Sequence, residues 1–340
     1  MVIKDDMTAP LTENYSPEDF IHLVKEKKLQ VDQELTISIS QFNLPLKIKI
    51  ISLPINAVFS LVICFHGLIE RRKRTVPVFE GGYLRTDLQD RALTISISDP
   101  LLEQFSDLTT TWYTGSADFN TSDMIKTFIA SISAALTPCK TVFVGTSTGG
   151  HAALSQSSFV ANSVAVVCNP ITVISTYMKW HVGLYLKRCW PHLADAKALA
   201  TVVIDDVSEC YKQGSTNKVI LLNNSSDHHF WGKTVPFLSK TAEQFSQGRN
   251  LLFISDYFDS HIGHSTPKDF LRLWVNAAVS VDDNEVFSIA AYAKKLQKEA
   301  QVHSTPSVAA LSENVTNDRY LSDLSIANQI FSLAERESHE

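Results

Sequence analysis

The sequence predicts an α/β protein with a doubly wound, mostly parallel sheet, a helical cap insertion and a helical C-terminal tail. Three observations lead to this prediction. Short apolar runs alternate with longer segments of helical period or length, as in parallel sheets covered by helices on both faces. One interval between two such runs, 171–210, is too long and too aromatic for a simple crossover. The composition changes after Val281, where the tail begins.

Eight segments have the pattern of strands. The first two alternate polar and apolar residues, as half-exposed antiparallel strands do, and the later ones are nearly continuous apolar runs typical of buried strands. This order indicates an edge hairpin that leads into a buried sheet. The predicted strands are residues 35–39, 46–51, 59–65, 92–98, 141–145, 164–168, 219–222 and 251–255.

Four helices are predicted between and after these strands, and Pro267 is typical of the first turn of the last helix. They lie at residues 122–136, directly after residue 147, at 234–247 and at 267–279.

The chain is expected to divide into an N-terminal extension (1–30), a core domain (31–280) and a tail (281–340). The interval 171–210, which contains Tyr177, Trp180, Tyr185 and Trp190, is interpreted as a helical cap over the site. The tail is expected to hold helices at 285–301 and 320–336 around a polar segment, and to pack on the domain or mediate association.

Composition excludes several classes of protein. Of the 340 residues, 44% are hydrophobic and 19% are charged, which is ordinary for a globular protein. The net charge of -6 and the single short basic run at 71–74 argue against a nucleic-acid partner. No segment is apolar over the roughly 20 residues that cross a bilayer, and the N-terminus has no apolar stretch of signal-peptide length. With five widely spaced cysteines and no Cys-x-x-Cys pair, the chain is expected to be cytoplasmic.

The strongest chemical motif is Gly145-Thr146-Ser147-Thr148-Gly149, which is followed by Gly150. Glycine is scarce, with 12 residues in the chain, so three within six positions after a buried strand need a reason. A nucleophile elbow provides one, because side chains two residues before and after its serine would clash with the backbone. Ser147 is then the nucleophile, and the amide of Thr148 is an oxyanion donor at a helix N-terminus. The alternative is a glycine-rich turn without chemistry.

A serine nucleophile requires an imidazole base and a carboxylate that orients the base. Asp227 lies in the loop after the predicted strand 219–222, where it is either the acid or a turn aspartate. His261 and His264 both follow the next strand, and either can be the base. Asp256 and Asp259 are the alternative acids if the arrangement differs.

Together with Phe65-His66-Gly67-Leu68 at the end of the third strand, these motifs resemble the α/β-hydrolase superfamily over residues 35–279. The resemblance implies the chain order Ser, acid, His, which Ser147, Asp227 and His264 match. Gly263-His264 just before a helix favours His264, with His261 as the alternative. The resemblance also implies that the amide of Gly67 or Leu68 is the second oxyanion donor, and His66 is expected to brace that loop.

Further segments resemble a bacterial group whose genes lie beside glycosyltransferases for cell-surface polysaccharides. They are Ile97-Ser98-Asp99-Pro100, Trp112-Tyr113-Thr114-Gly115, and Asn169-Pro170 followed by Tyr177. This resemblance implies an acyl or acetyl ester on a glycan or its precursor as substrate. It also implies a pocket lined by His66, Asp99, Trp112 and Tyr113. Ile171-Thr172 departs from the Gln-Thr of the group.

The sequence therefore predicts a serine hydrolase for ester substrates, with no cofactor and no metal. An acyltransferase with the same triad is one alternative, and a non-catalytic scaffold of the same fold is another. A metal enzyme is a third, suggested by His228-His229 and His261-x-x-His264, but these spacings lack an i, i+4 ligand pair and a third carboxylate. The ester substrate is the expected partner, and the tail is expected to mediate any association with a second copy or another protein.

Overall fold

A computed structural model describes residues 14–303 except 213, 215, 225, 249, 257–262 and 266. Its described strands form one nine-stranded sheet in the order β1-β2-β3-β5-β4-β6-β7-β8-β9. In chain order the strands are β1 Asn14–Tyr15, β2 Glu34–Ile37, β3 Leu46–Ser52, β4 Ser60–Phe65, β5 Ala92–Ile97, β6 Lys140–Thr146, β7 Val164–Cys168, β8 Lys218–Asn224 and β9 Leu251–Asp256. Within this part of the chain, β3 alone runs antiparallel to its neighbours, so the predicted mostly parallel sheet is confirmed.

Helices connect the strands along both faces of the sheet. They are α1 Pro17–Lys25, α2 Arg85–Leu88, α3 Leu101–Gln104, α4 Thr121–Leu136, α5 Ser147–Ser158, α6 Lys179–Cys189, α7 Val235–Gly248, α8 Lys268–Ser280 and α9 Val286–His303. Short 3-10 helices lie at Gly82–Leu84, Ala196–Thr201 and Val207–Tyr211, and a π-helix lies at Phe230–Thr234. None of these described helices has the length and apolar character needed to cross a membrane.

The core lies in two layers, because successive side chains of each central strand point to opposite faces. In β4, Leu61 and Ile63 belong to the layer under α4, α5 and α7, whereas Val62 belongs to the layer under α8 and α9. Apolar residues therefore fill the strands without alternation, which is the pattern that predicted them. The sheet is covered by helices on both faces, and the doubly wound fold class is confirmed.

The edge of the sheet contains the predicted hairpin and one helix that the sequence analysis missed. β2 and β3 pair antiparallel, with Thr36 opposite Lys47. Helix α1 precedes them and begins with a capping box, in which the Ser16 hydroxyl accepts from the Asp19 amide and Asp19 accepts from the Ser16 amide. Its buried Phe20 packs on Phe128 of α4, with 5.5 Å between the ring centroids. Helix α1 therefore helps to cover the core layer that contains Phe128.

The interval between β7 and β8 contains α6 and two 3-10 helices, in the region interpreted as the cap. The tail begins with α9, which starts and ends within two residues of the predicted helix 285–301 and buries Ile289 and Ala293. The second predicted tail helix, 320–336, lies outside the described residues.

A buried lysine connects β6 to the start of the tail. Lys140, in the first position of β6, donates its ammonium hydrogens to the carbonyls of Ala278, Val281 and Asp283 at 2.9, 2.6 and 2.8 Å. The side chain is buried, and burial lowers the pKa of Lys140 while three carbonyl dipoles satisfy its charge.

Candidate active site

The nucleophile motif forms a sharp turn between β6 and α5. Ser147 has a φ of 51°, in the left-handed region that non-glycine residues seldom adopt. A Cβ atom at Gly145 would lie 2.1 Å from the carbonyl oxygen of Gly149, and one at Gly149 would lie 2.5 Å from that of His66. Glycine at these two positions therefore removes the clashes expected of a nucleophile elbow.

Ser147 lies at one end of a continuous hydrogen-bonded chain. Its Oγ is 2.8 Å from Nε2 of His264, and Nδ1 of His264 is 3.0 Å from Oδ1 of Asp227. Because a carboxylate only accepts, Nδ1 of His264 carries the proton and Nε2 accepts from the serine hydroxyl. The structure thus brings together the three residues predicted as nucleophile, base and acid. The alternative base His261 and the alternative acid Asp259 lie outside the described residues, as does the side chain of Asp256.

The carboxylate of Asp227 is buried, with 1% of its side chain exposed. Burial raises the pKa of Asp227, but the hydrogen bond and charge of His264 together with the amide of His229 outweigh this effect, so the pKa is lowered on balance. The His229 amide donates to Oδ1 at 2.9 Å. The carboxylate of Asp227 is therefore ionised, and its Oδ1 faces Nδ1 of His264.

Two asparagines that the sequence analysis did not place in the site position its histidine. Nδ2 of Asn169, at the end of β7, donates to the carbonyl of His264 at 3.0 Å, and its Oδ1 accepts from the Asn224 amide at 2.8 Å. Nδ2 of Asn224 donates to the carbonyl of Gly263 at 2.7 Å. Both side chains are buried, and each follows an apolar strand, which is the sequence signal that would have identified them.

The loop after β4 lies directly against the serine. A Cβ on Gly67 would be 3.3 Å from the carbonyl oxygen of Thr146 and 3.6 Å from Cβ of Ser147, so this loop packs closely on the elbow. Leu68 follows it and is partly buried. Thr148 occupies the first turn of α5, where backbone amides have no partner within the helix. These are the three residues whose amides were predicted to bind an oxyanion.

His66 braces this loop. Its Nδ1 hydrogen is donated to the Gly67 carbonyl at 2.7 Å, and its Nε2 accepts from the Asp99 amide at 3.3 Å. Its own amide donates to the hydroxyl of Tyr113 at 3.0 Å. Burial lowers the pKa of His66 to about 4, although the bond to Gly67 acts in the opposite direction, so the ring is neutral at pH 7. The expected bracing role matches this placement, whereas the pocket position does not, because both ring nitrogens bond to the protein.

Asp99 was predicted to line the pocket, but its carboxylate holds a neighbouring loop. It accepts from the Thr111 hydroxyl at 2.5 Å and from the amides of Tyr113 and Leu101 at 3.2 and 3.3 Å. Burial raises the pKa of Asp99 to about 6, and these donors act against that rise. The sequence shows a polar residue at a strand end, and only the folded loop shows which way its carboxylate faces.

The loop held by Asp99 has two residues in succession with positive φ, Trp112 at 52° and Tyr113 at 59°. Such conformations cost on the order of 1–3 kcal/mol each and persist where surrounding contacts fix them. Tyr113 is buried and its hydroxyl donates to the Ile97 carbonyl, so its polar group also faces the protein. Trp112 packs edge-on against Tyr177 at 5.8 Å between ring centroids. Trp112 and Tyr113 both line a cavity of about 560 Å³, together with Phe119 and Trp190, and Ser147 is not among the residues that line it.

Aromatic rings surround the histidine side of the site. His229 lies 4.8 Å from His264 and 5.4 Å from Tyr177 between ring centroids, and His228 lies 4.0 Å from His229. Tyr177 comes from the region interpreted as the cap, so this region reaches the group of rings around His264.

A buried lysine fixes the position of this aromatic group. Lys233 donates to the carbonyl of Val173 at 2.8 Å and to the hydroxyl of Thr176 at 2.5 Å, which ties the π-helix after Asp227 to the segment before Tyr177. Burial lowers the pKa of Lys233 to about 8. Among the side chains that the structure describes, no group of three or more His, Cys, Asp or Glu residues is arranged to hold a metal ion.

No protein-family model matches the sequence, and no curated protein matches it. Solved structures are similar to most of the chain. A capsule O-acetyltransferase of Neisseria meningitidis serogroup A is 15% identical over 78% of this chain and 96% of its own, with a TM-score of 0.49. An S-formylglutathione hydrolase from Agrobacterium tumefaciens is 12% identical over 77% and 94%, with a TM-score of 0.49. A fluorophosphonate-binding serine hydrolase of Staphylococcus aureus is 11% identical over 76% and 97%, with a TM-score of 0.48.

The sheet order, the single antiparallel strand β3 within the edge hairpin and the elbow between β6 and α5 are features of this chain's own structure. They give the chain the α/β-hydrolase fold that the sequence predicts.

Proposed function

We propose that the protein is a serine hydrolase that cleaves a carboxylic ester, with Ser147 as nucleophile, His264 as base and Asp227 as acid. The observation that supports this proposal most directly is the chain of hydrogen bonds from Ser147 Oγ through His264 to Asp227, at 2.8 and 3.0 Å. These distances are those expected of a nucleophile, its base and the group that orients the base.

In the proposed reaction Ser147 attacks the ester carbonyl while His264 takes the hydroxyl proton. The amides of Thr148 and of Gly67 or Leu68 stabilise the negative oxygen of the tetrahedral intermediate. His264 then gives the proton to the leaving alcohol, and water, deprotonated by the same imidazole, releases the acid from the serine. Asp227 remains ionised throughout and stabilises the imidazolium.

Acyl transfer is the second candidate, in which the hydroxyl of an acceptor replaces water. The same hydrogen-bonded chain from Ser147 to Asp227 supports it, because hydrolysis and acyl transfer share the acyl-serine intermediate. We extend the proposal to an acyl or acetyl ester on a glycan as the substrate, which the segments around Asp99 and Trp112 imply by resemblance.

Labelling with a fluorophosphonate probe tests the proposed nucleophile and base. We expect the wild type to react, Ser147→Ala to lose labelling, and His264→Ala to lose at least about 1000-fold in rate. Ser158→Ala, in the same helix, is the matched control and should label like the wild type, as should His261→Ala.

Hydrolysis of 4-nitrophenyl acetate by the same proteins measures turnover, and circular dichroism checks that each variant is folded. A folded wild type that neither labels nor turns over the ester would contradict the proposal and favour the scaffold alternative. Loss of labelling in His261→Ala but not in His264→Ala would replace the base.

A further inference from the structure

His151 lies in α5 one turn after Ser147, and the proposed triad and oxyanion donors give it no role. Its side chain is fully buried. Nδ1 of His151 lies 3.0 Å from the carbonyl oxygen of Ile171, and Nε2 lies 3.0 Å from that of Ile204. Ile171 begins the region interpreted as the cap, and Ile204 lies near its end. The imidazole therefore contacts both ends of that region from α5.

The imidazole of His151 can donate to only one of these carbonyls at pH 7. Burial lowers the pKa of His151, although the two carbonyls and the charges of Asp205 and Asp206 act in the opposite direction. The ring is therefore neutral at pH 7 and has one N–H hydrogen. Ile171 is fully buried, so its carbonyl has no access to water, whereas Ile204 is only partly buried. Because an unpaired buried carbonyl is costly, we place the hydrogen on Nδ1, which donates it to Ile171.

Ile171 is bonded to the first turns of α5 through both of its backbone groups. Its amide donates to the Ser147 carbonyl at 2.9 Å, and its carbonyl accepts from Nδ1 of His151. A Cβ at Gly150 would lie 2.8 Å from Cβ of Pro170, so Pro170 packs closely on the same part of the helix. Ser147 has the positive φ of the elbow, and these contacts support a backbone conformation that is otherwise unfavourable.

Residues 169–171, which we call the stem, also reach the loop of His264. Asn169 donates from Nδ2 to the carbonyl of His264 at 3.0 Å. The stem therefore contacts both α5, which begins with the proposed nucleophile, and the loop that contains the proposed base. A displacement of the stem would change the distance between Oγ of Ser147 and Nε2 of His264, which is 2.8 Å.

We propose that His151 is a positioning residue for the ester reaction, which donates a hydrogen bond to Ile171 and so holds the stem against α5. This inference rests on the proposed function, because it concerns the alignment of the same serine and histidine. Without the bond from Nδ1, the stem can move away from α5, and the hydroxyl of Ser147 is then no longer aligned with His264. The contact of Nε2 with Ile204 has no such effect, because Nε2 carries no hydrogen.

The test compares His151→Asn with His151→Gln, because the amide nitrogen of asparagine can take the position of Nδ1 and that of glutamine the position of Nε2. We measure the rate of labelling by a fluorophosphonate probe at pH 7 and the stability to urea. We expect His151→Gln to lower the labelling rate by about 100-fold, the cost of misplacing a reacting group by about 1 Å. His151→Asn should label within about 3-fold of the wild type, although it leaves more empty volume and should be the less stable of the two.

Turnover of 4-nitrophenyl acetate separates alignment from binding. In His151→Gln we expect kcat to fall and KM to stay near the wild-type value, because an interaction that aligns the reacting groups is lost and substrate binding is not. Labelling rates that follow the urea stabilities of the variants would overturn the proposal in favour of a structural role. Equal labelling of His151→Gln and the wild type would overturn it outright.

The matched control is Tyr211→Phe, which removes a buried hydroxyl that donates to the Leu154 carbonyl of the same helix at 3.0 Å. It should lower the stability to urea and leave the labelling rate unchanged. His151→Phe removes both ring nitrogens and should label as slowly as His151→Gln, so it replaces that variant if the glutamine chain does not fold. A folded His151→Phe that labels at the wild-type rate would contradict the proposal. If the wild type does not label, or if Ser147→Ala still does, the proposed function itself fails, and this outcome is independent of His151.

Discussion

The two sides of the candidate site are built in different ways. On the side where we propose that the oxyanion binds (the oxyanion side), Gly67 and the elbow follow neighbouring strands, β4 and β6, and backbone contacts set their geometry. On the side of His264 (the histidine side), Tyr177 and His229 belong to segments 52 positions apart, which side-chain hydrogen bonds of Lys233 join. The geometry of the oxyanion side requires glycines without side chains, whereas contacts between side chains set the geometry of the histidine side. We therefore expect an added methyl group to disrupt the oxyanion side by steric clash and to be tolerated on the histidine side.

The largest effect should come from Gly145→Ala on the oxyanion side. Its Cβ would lie 2.1 Å from the Gly149 carbonyl oxygen, so the elbow must open. We expect a loss of at least about 3 kcal/mol in unfolding free energy, at the upper end of overpacking costs, and loss of fluorophosphonate labelling. Urea denaturation measures the first quantity. In the control Gly82→Ala the added methyl meets nothing within 4 Å, and we expect a change within about 0.5 kcal/mol. Equal stability of the two variants would show that the elbow is not strained.

An intermediate effect, dependent on pH, should come from His66→Gln. The folded-state pKa of His66, about 4, lies below its ordinary value of 6.5, so the unfolded chain binds the proton first as the pH falls. The contribution of a neutral His66 is complete above pH 6.5 and is lost towards pH 4. The variant should be less stable than the wild type at pH 7.5, and this difference should shrink by on the order of 3 kcal/mol by pH 4.

Urea denaturation of both proteins across this pH range measures the difference. Asp99, whose raised pKa favours the folded state as the pH falls from 6 to 4, acts in the opposite direction in both proteins, so the difference between the two curves reports His66 better than the wild-type curve alone. Parallel stability curves for the wild type and His66→Gln would show that His66 is not held neutral by the fold.

The smallest effect should come from Gly183→Ala in α6, in the region interpreted as the cap. A Cβ at this helical position meets nothing within 4 Å. We expect unfolding free energy to rise by about 0.5–1 kcal/mol, because alanine loses less backbone entropy than glycine in a helix. Thermal unfolding together with turnover of 4-nitrophenyl acetate checks this expectation. A loss of stability would mean that α6 packs more closely than the structure shows. Gly183 would then resemble Gly145 in requiring the absence of a side chain.

The sheet could be predicted because burial on both faces leaves continuous apolar runs. Each of the eight predicted strands ends within two residues of the observed one. The two-residue β1 is too short to have a period, and it was missed. Helix α1 was also missed, although Ser16, Pro17 and Asp19 are a helix-start signal that was available in the sequence.

The geometry of the candidate site was predictable where it depends on a local pattern. The spacing of Gly145, Ser147 and Gly149 predicts the sharp turn between β6 and α5, and strand ends point to Asp227 and His264, which lie within hydrogen-bonding distance of each other. The direction of a side chain depends on distant loops instead. The carboxylate of Asp99 accepts from the Tyr113 amide, which no local pattern distinguishes from a pocket position. Tyr177 packs against His229, 52 positions further along the chain, and no local pattern predicts that contact.

The ammonium of Lys140 has a consequence for truncated forms of the protein. Two of its three carbonyl partners, those of Val281 and Asp283, lie beyond the end of α8, inside the segment expected to be the tail. A chain cut at residue 280 would leave this buried cation at the start of β6 with one acceptor. Removing the tail would therefore act on the strand that directly precedes Ser147. A truncated form should retain residues to at least 303, so that α9 still covers the second core layer.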